Sequence, residues 1–264
     1  RQPEYGVDAL MWVGMYGQMG AYAIGDLLAG NVNPSGRSSD TFWREHWLNP
    51  VHANFASIID AETGNTTQGS GNPNDGSTIR DIVYQEGIYM GYRYTETRYE
   101  DKVLGRANVG DYDYYKAVAY PFGYGLSYSE FTYSDFEVTR NAANEESGTE
   151  ATYTVSVTVT NADEAHGGVA GKEVVQIYAQ KPYDGGGIEK ASVELVGFGK
   201  TKTLEPGESE TLTMTVKERD LASYDAYGEK TYVMDAGTYY LTAGKDAHDA
   251  VNNILAAKGK TTED

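Results

Sequence analysis

The 264-residue sequence contains no cysteine, which excludes disulfides, thiolate nucleophiles and cysteine metal sites. It has no apolar run approaching the length of a membrane span, and its start lacks the charged and apolar regions of a signal peptide. The histidines His46, His52, His166 and His248 are scattered without ligand spacing, so no metal is expected. No Gly-x-Ser-x-Gly elbow occurs, and Gly14-Met15-Tyr16-Gly17 lacks both the GxGxxG spacing and a P-loop lysine. Neither a serine hydrolase nor a nucleotide site is therefore expected, and no cofactor. Basic residues are also short: 21 Lys and Arg against 39 Asp and Glu leave a net charge of −18. That balance argues against nucleic acid and against an anionic membrane surface, and it leaves neutral substrates open. The lack of cysteine points to the cytoplasm, with secretion as the alternative. The chain opens without methionine and stops in mid-phrase at Lys258–Asp264, as an excerpt of a longer protein would.

What is present is organised around Tyr120-Pro121-Phe122-Gly123-Tyr124-Gly125-Leu126-Ser127-Tyr128. Pro121 fixes one dihedral, and the glycines flanking Tyr124 admit positive φ or a close backbone approach. Upstream, Val7–Val13 reads as a strand buried on both faces, and Gln18–Leu28 reads as a helix stopped at Gly30. Residues 61–78 read as an exposed loop, 81–94 as one long strand or two joined at Gly87, and 98–118 as a polar, tyrosine-rich loop. Downstream, Tyr153, Val155, Val157 and Val159 alternate with threonine and serine. Further strands are expected over 131–138, 172–180, 192–199, 209–217, 230–234 and 238–243, with turn residues between them. This spacing predicts an immunoglobulin or fibronectin type III-like sandwich. Ala250, Val251, Ile254 and Leu255 then predict a helix over Asp246–Lys258. The fold class expected is α/β followed by all-β, an incomplete α/β sandwich domain with a C-terminal β-sandwich.

Three places invite a functional reading. Arg37, after the turn Asn33-Pro34-Ser35-Gly36, suits a clamp on a hydroxyl or carboxylate, but a local partner such as a backbone carbonyl or Asp40 is preferred. Glu86, in an apolar stretch, suits a general acid with a raised pKa; a buried acceptor tied to backbone or Arg93 is preferred. Asp111, Tyr112 and Asp113 are the candidate substrate-binding residues, since a sugar site sets ring faces on C–H surfaces and carboxylates on hydroxyls. No two acids are marked by their context as nucleophile and proton donor, so no catalytic residue is assigned.

The stretches VDALMWVGMYGQMGAYAIGDLLAGNVNPSGRSSDTF (7–42), YQEGIYMGYRY (84–94) and AYPFGYGLSYSEF (119–131) resemble glycoside hydrolase family 3, the β-glucosidase family. The resemblance implies that residues 1–126 are the C-terminal part of an α/β sandwich domain. It implies that 127–245 are a fibronectin type III-like domain, and that 246–264 are a helical linker toward a missing domain. Family members hydrolyse terminal, mostly β-linked sugars with retention by the two-carboxylate route. The nucleophilic aspartate lies in a (β/α)8 barrel that this chain lacks, and the acid/base glutamate is placed before residue 1. The chain alone is then expected to be inactive, its partners being a carbohydrate and the barrel domain, with a homo-oligomer left open. Gly17-Gln18-Met19-Gly20 departs from the Gly-Gln-Glu-Gly of many members, so any role of that glutamate is lost. The tail resembles the linker of rearranged members, which implies a barrel following the sandwich. The rival reading is a free-standing carbohydrate-binding or adhesion module gripping a glycan with the tyrosines of 112–128.

Overall fold

The computed structural model describes residues 6, 9–54, 58–59, 66–67, 85–146, 148–162, 168–183 and 185–262. Residues 9–16 have no regular structure, and Leu10 and Trp12 are 80% and 76% exposed. The strand expected over 7–13 is thus not formed at 9–13; residues 7 and 8 lie outside the described residues. A strand covered on both faces needs ladder partners and cover, and none of the described residues supplies them here. The helix expected next is present as α1 (Gly20–Leu28), with Gly30 at φ +75° just beyond it. A two-residue strand β1 (Phe42–Trp43) and a short helix α2 (Pro50–Asn54) follow. The loop expected over 61–78 lies outside the described residues except for β3 (Thr66–Thr67), which pairs antiparallel with β2 (Ile58–Ile59).

The strand expected over 81–94 is corrected. Residues 81–84 lie outside the described residues, 85–91 form turns, and 92–94 open helix α3 (Tyr92–Val103). Gly87 and Gly91 stand at φ +57° and +53°, which ends an extended run and hands it to a helix. The loop expected over 98–118 is corrected as well. It holds the end of α3, a 3-10 turn at Ala107–Val109, helix α4 (Tyr114–Ala117) and the start of β4 (Val118–Tyr120). The Asp113 carboxylate caps α4 by accepting the N–H of Lys116. β4 pairs with β1, and every ladder among the described residues is antiparallel. The parallel sheet implied by a strand–loop–helix start is not formed within them.

The alternation in the second half does become a sandwich. β5 (Phe131–Asn141), β6 (Thr152–Asn161), β7 (Val174–Gln180), β8 (Glu194–Lys200) and β9 (Ser209–Lys217) follow in order. A small hairpin, β10 (Ser223–Tyr224) and β11 (Tyr232–Val233), and β12 (Tyr240–Gly244) complete it. One sheet runs β5–β6–β9 and the other β12–β7–β8. Val155, Val157 and Val159 of β6 meet Val175, Ile177 and Ala179 of β7 in one apolar core. The hydroxylic face of β6 is laced to β9, with Thr158 to Thr211 at 2.9 Å and Thr160 to Ser209 at 2.7 Å.

β7 is the strand that joins the halves, because both of its faces are covered. Its odd positions enter the sandwich core, while Gln176, Tyr178 and Gln180 face the helices. Tyr178 lies in a second core with Tyr99, Tyr114, Ala117 and Val118. The last helix, α5 (Ala247–Ala257), buries Ala247, Ala250, Val251, Ile254 and Leu255 in that same core. It forms where periodicity predicts it, and it packs as a core element against α3 and β12.

Candidate functional site at the joint of the two halves

The stretch 120–128 threads between the halves, and its two glycines are where the chain is tightest. A Cβ on Gly123, which stands at φ +87°, would run into the Gln176 side chain, and one on Gly125 into the Gly36 carbonyl. Gln176 uses that proximity by donating from Nε2 to the carbonyls of Gly123 at 3.0 Å and Lys245 at 2.6 Å. The turn at Asn33 is a second clip. Its side chain donates to Ser129 at 2.8 Å, and it accepts from the Ser127 hydroxyl and the Tyr128 N–H, each at 2.8 Å. The tyrosines of this stretch pack on the joint itself: Tyr120 lies 4.9 Å from Tyr124, and Tyr128 donates to the Leu27 carbonyl at 2.8 Å.

Arg37 is corrected from a local to a distant partner. One guanidinium nitrogen donates to both oxygens of Glu173, at 2.7 and 2.6 Å, across 136 residues of sequence. A weaker contact to the Gly36 carbonyl remains at 3.2 Å. Glu173 is 2% exposed and also accepts from the Tyr133 hydroxyl at 2.9 Å. Burial, with that carboxylate alongside, pushes the Tyr133 phenol far above its ordinary range. The pair is a buried interdomain lock.

A second buried cluster sits under α5. Glu96 of α3 is fully buried, accepts from the Tyr114 hydroxyl at 2.6 Å, and meets His248 Nδ1 at 2.8 Å. The His248 ring stacks on Tyr114 with centroids 4.0 Å apart, and Tyr99 lies 4.4 Å away. Burial raises the Tyr114 phenol, helped by the Glu96 charge, so it stays a donor. Asp246 caps α5 by accepting the Asp249 N–H at 2.9 Å, and burial pushes its carboxyl up to about 6.

The candidates from sequence land elsewhere. Asp111 is exposed, and Asp113 pairs with Lys116 at 2.9 Å beside its capping bond. Tyr112 lies under the Arg98 guanidinium, 5.7 Å from the ring centre, and its hydroxyl reaches the Thr95 carbonyl at 3.4 Å. None of the three lines the one cleft that Glu86 does line. That cleft, of about 680 Å³, lies between α3 and the end of the sandwich where β7 passes into β8. Its acids are engaged: Glu100 with Gln180 and Lys258, each at 2.9 Å, Asp101 with Arg106 at 2.6 Å, and Glu189 with the Tyr89 hydroxyl. Among the described residues, no three His, Cys, Asp or Glu side chains are grouped to hold a metal ion.

Two family profiles match the chain. The "Glycosyl hydrolase family 3 C-terminal domain" covers residues 2–92, and the "Fibronectin type III-like domain" covers 173–247. The chain carries a glycoside hydrolase family 3 C-terminal domain and a fibronectin type III-like domain. A β-glucosidase of Ruminococcus albus is 33% identical over 94% of this chain and 21% of its own length. The solved β-glucosidase of Paenibacillus barengoltzii is similar at 35% identity and TM-score 0.65, over 87% of this chain and 20% of that one. β-Glucosidase 3B of Thermotoga neapolitana, solved with α-D-glucose, gives 34% and 0.64 over 88% and 26%. The chain therefore spans a fifth to about a quarter of the length of these relatives. The joint falls between the two profile matches: Arg37 lies in the first, and Glu173 opens the second.

Proposed function

We propose that this chain is the non-catalytic framework of a retaining β-glycosidase acting on terminal β-linked sugars. Residues 1–126 supply the C-terminal part of an α/β sandwich domain that closes one side of the sugar site. Residues 127–245 buttress it as a fibronectin type III-like domain, and 246–264 lead toward the barrel. The nucleophilic aspartate and the acid/base glutamate belong to parts of the longer protein outside this chain. A negative net charge suits a neutral sugar, and the absence of cysteine suits the cytoplasm.

What carries this reading is one disproportion: the likeness to the R. albus enzyme runs over 94% of this chain but only 21% of that enzyme. The chemistry of the joint agrees. A retaining glycosidase needs two carboxyls about 5–5.5 Å apart flanking the scissile bond, one of them protonated. Here Glu96, Glu100 and Asp101 are each committed to a structural partner at 2.6–2.9 Å.

The test is hydrolysis of an aryl β-glucoside by the 264-residue chain beside a full-length family member carrying the same segment. Turnover by the longer protein alone is the expected outcome. Turnover by the chain itself would overturn the assignment, and Glu86, Asp111 and Asp113 would be the first residues to substitute.

A further inference from the structure

We infer that Tyr115 is a nucleophilic phenol, a covalent acceptor of acyl groups from activated esters, with His248 as its base and Glu96 holding that base in position. The Tyr115 hydroxyl meets His248 Nε2 at 3.4 Å, and His248 Nδ1 meets the Glu96 carboxylate at 2.8 Å. Hydroxyl, imidazole and buried carboxylate follow one another in the order by which proteins activate a weak nucleophile. The outer contact is longer than an ideal hydrogen bond, as such contacts often are before a substrate closes on them.

Burial of Glu96 sets the tautomer of the imidazole. Glu96 is fully buried, and one of its oxygens accepts from the hydroxyls of Tyr114 at 2.6 Å and Thr95 at 3.3 Å. Its second oxygen takes the hydrogen bond of Nδ1–H, which leaves the lone pair of Nε2 facing the Tyr115 hydroxyl. The ring is held in that orientation, with Tyr114 stacked on it at 4.0 Å and Tyr99 at 4.4 Å. When Nε2 takes a proton, the Glu96 charge stabilises the imidazolium that forms.

Its partner separates Tyr115 from other phenols of the joint. Tyr89, Tyr114 and Tyr133 donate directly to the carboxylates of Glu189, Glu96 and Glu173, and burial with those charges raises all three. A phenol raised in this way keeps its proton and is a poor nucleophile. Tyr115 faces a nitrogen base instead, and at 48% exposure a reagent can reach it. Arg44 Nε donates to the Tyr115 carbonyl at 2.7 Å and to the Val118 carbonyl at 3.1 Å, which fixes the backbone that carries the ring.

The acyl transfer balances with an aryl ester as the donor. The phenolic oxygen of Tyr115 bonds to the acyl carbon while the bond from that carbon to the aryloxy oxygen breaks. His248 Nε2 takes the phenolic proton and passes it to the leaving aryloxide, giving acylated Tyr115 and a free phenol. This chemistry asks nothing of a barrel or of a glycosidic bond, so it fails or holds separately from the glycosidase reading.

The experiment exposes the 264-residue chain to p-nitrophenyl acetate in mildly alkaline buffer and follows acetylation of each tyrosine by peptide mass mapping. Tyr227, 98% exposed between β10 and β11, is the internal reference. Tyr115 should be acetylated on the order of a hundredfold faster, the scale of general-base assistance. His248→Gln should bring it down to the rate of Tyr227 or below. Imidazole 15N shifts of the parent should place the His248 proton on Nδ1 and the lone pair on Nε2. Glu96→Gln should release that preference, a change that loss of packing alone would not produce. Acetylation of Tyr115 no faster than that of Tyr227 in the parent would overturn the inference, whatever the stability of the variants. So would a proton on Nε2 in the parent, a tautomer unmoved by Glu96→Gln, or selectivity kept by a folded His248→Gln.

Discussion

Asp246 sits where β12 turns into α5, holding the first turn of that helix through the N–H of Asp249 at 2.9 Å. Burial lifts its carboxyl from an ordinary 3.8 to about 6, so the folded state holds a proton more tightly than the unfolded chain between those values. This contribution to stability is fully present below the unfolded pKa and is lost as pH rises through about 6. Asparagine caps a helix as well as aspartate and does not ionise. Asp246→Asn should therefore gain stability relative to the parent as pH is raised from 4 to 7. The gain is on the order of 1–3 kcal/mol, read from urea midpoints at the two pH values. A difference that stays flat with pH would refute the buried-carboxylate account. Of the acids at the joint, sequence reasoning singles out Glu86 and passes over Glu96, the one that is fully buried. The reason is local. Glu86 stands in an apolar stretch and draws notice, whereas Glu96 lies among charged neighbours and looks like part of a solvated face. The signal that marks it is its place on one helical face with Tyr99 and Glu100, three and four residues on.

At the level of elements, legibility follows the chemistry of the buried face. β6 was readable because its buried positions are valines and its open ones hydroxylic. α5 was readable because its apolar positions recur at helical spacing and all enter the core. α3 was not, because its buried residues are Thr95, Glu96, Tyr99, Glu100 and Asp101, a polar face invisible to hydrophobic periodicity. Arg37 reads as local because nothing in a sequence announces a partner 136 residues away. The two cores give α5 a separable role. Leu255 is fully buried in the core that it shares with α3 and α4, while Val157 belongs to the sandwich core. Leu255→Ala should cost about 2–5 kcal/mol by removing buried methyl groups and leaving a cavity. Amide exchange should quicken at Tyr99 and Tyr114 and stay slow along β6. Equal acceleration in both regions would mean that the halves unfold as one unit and that the cores are not separable.

At the scale of the whole molecule, exposed apolar side chains gather near the start of the described residues. Leu10, Trp12, Met19, Tyr22 and Leu28 are between 71% and 80% exposed, a concentration of large apolar side chains along one short stretch. Surface of this kind marks a face that something covers. The stretch reads as a buried strand followed by a helix, which is how it would sit if the α/β domain of a longer family 3 protein supplied its ladder partners and cover. Trp12, 76% exposed here, is the natural reporter. In this chain its contribution to the emission, taken as the difference between the parent and Trp12→Phe, should be red-shifted and readily quenched by acrylamide. In a longer family member carrying the same segment, the same difference should shift to the blue and resist quenching severalfold, because the indole leaves water. A neutral quencher is needed, since a chain of net charge −18 repels iodide whatever the tryptophan's environment. If Trp12 quenches equally in both proteins, the stretch is open in the longer protein too. The reading of the chain's start as one strand and one helix of a larger sheet would then fall.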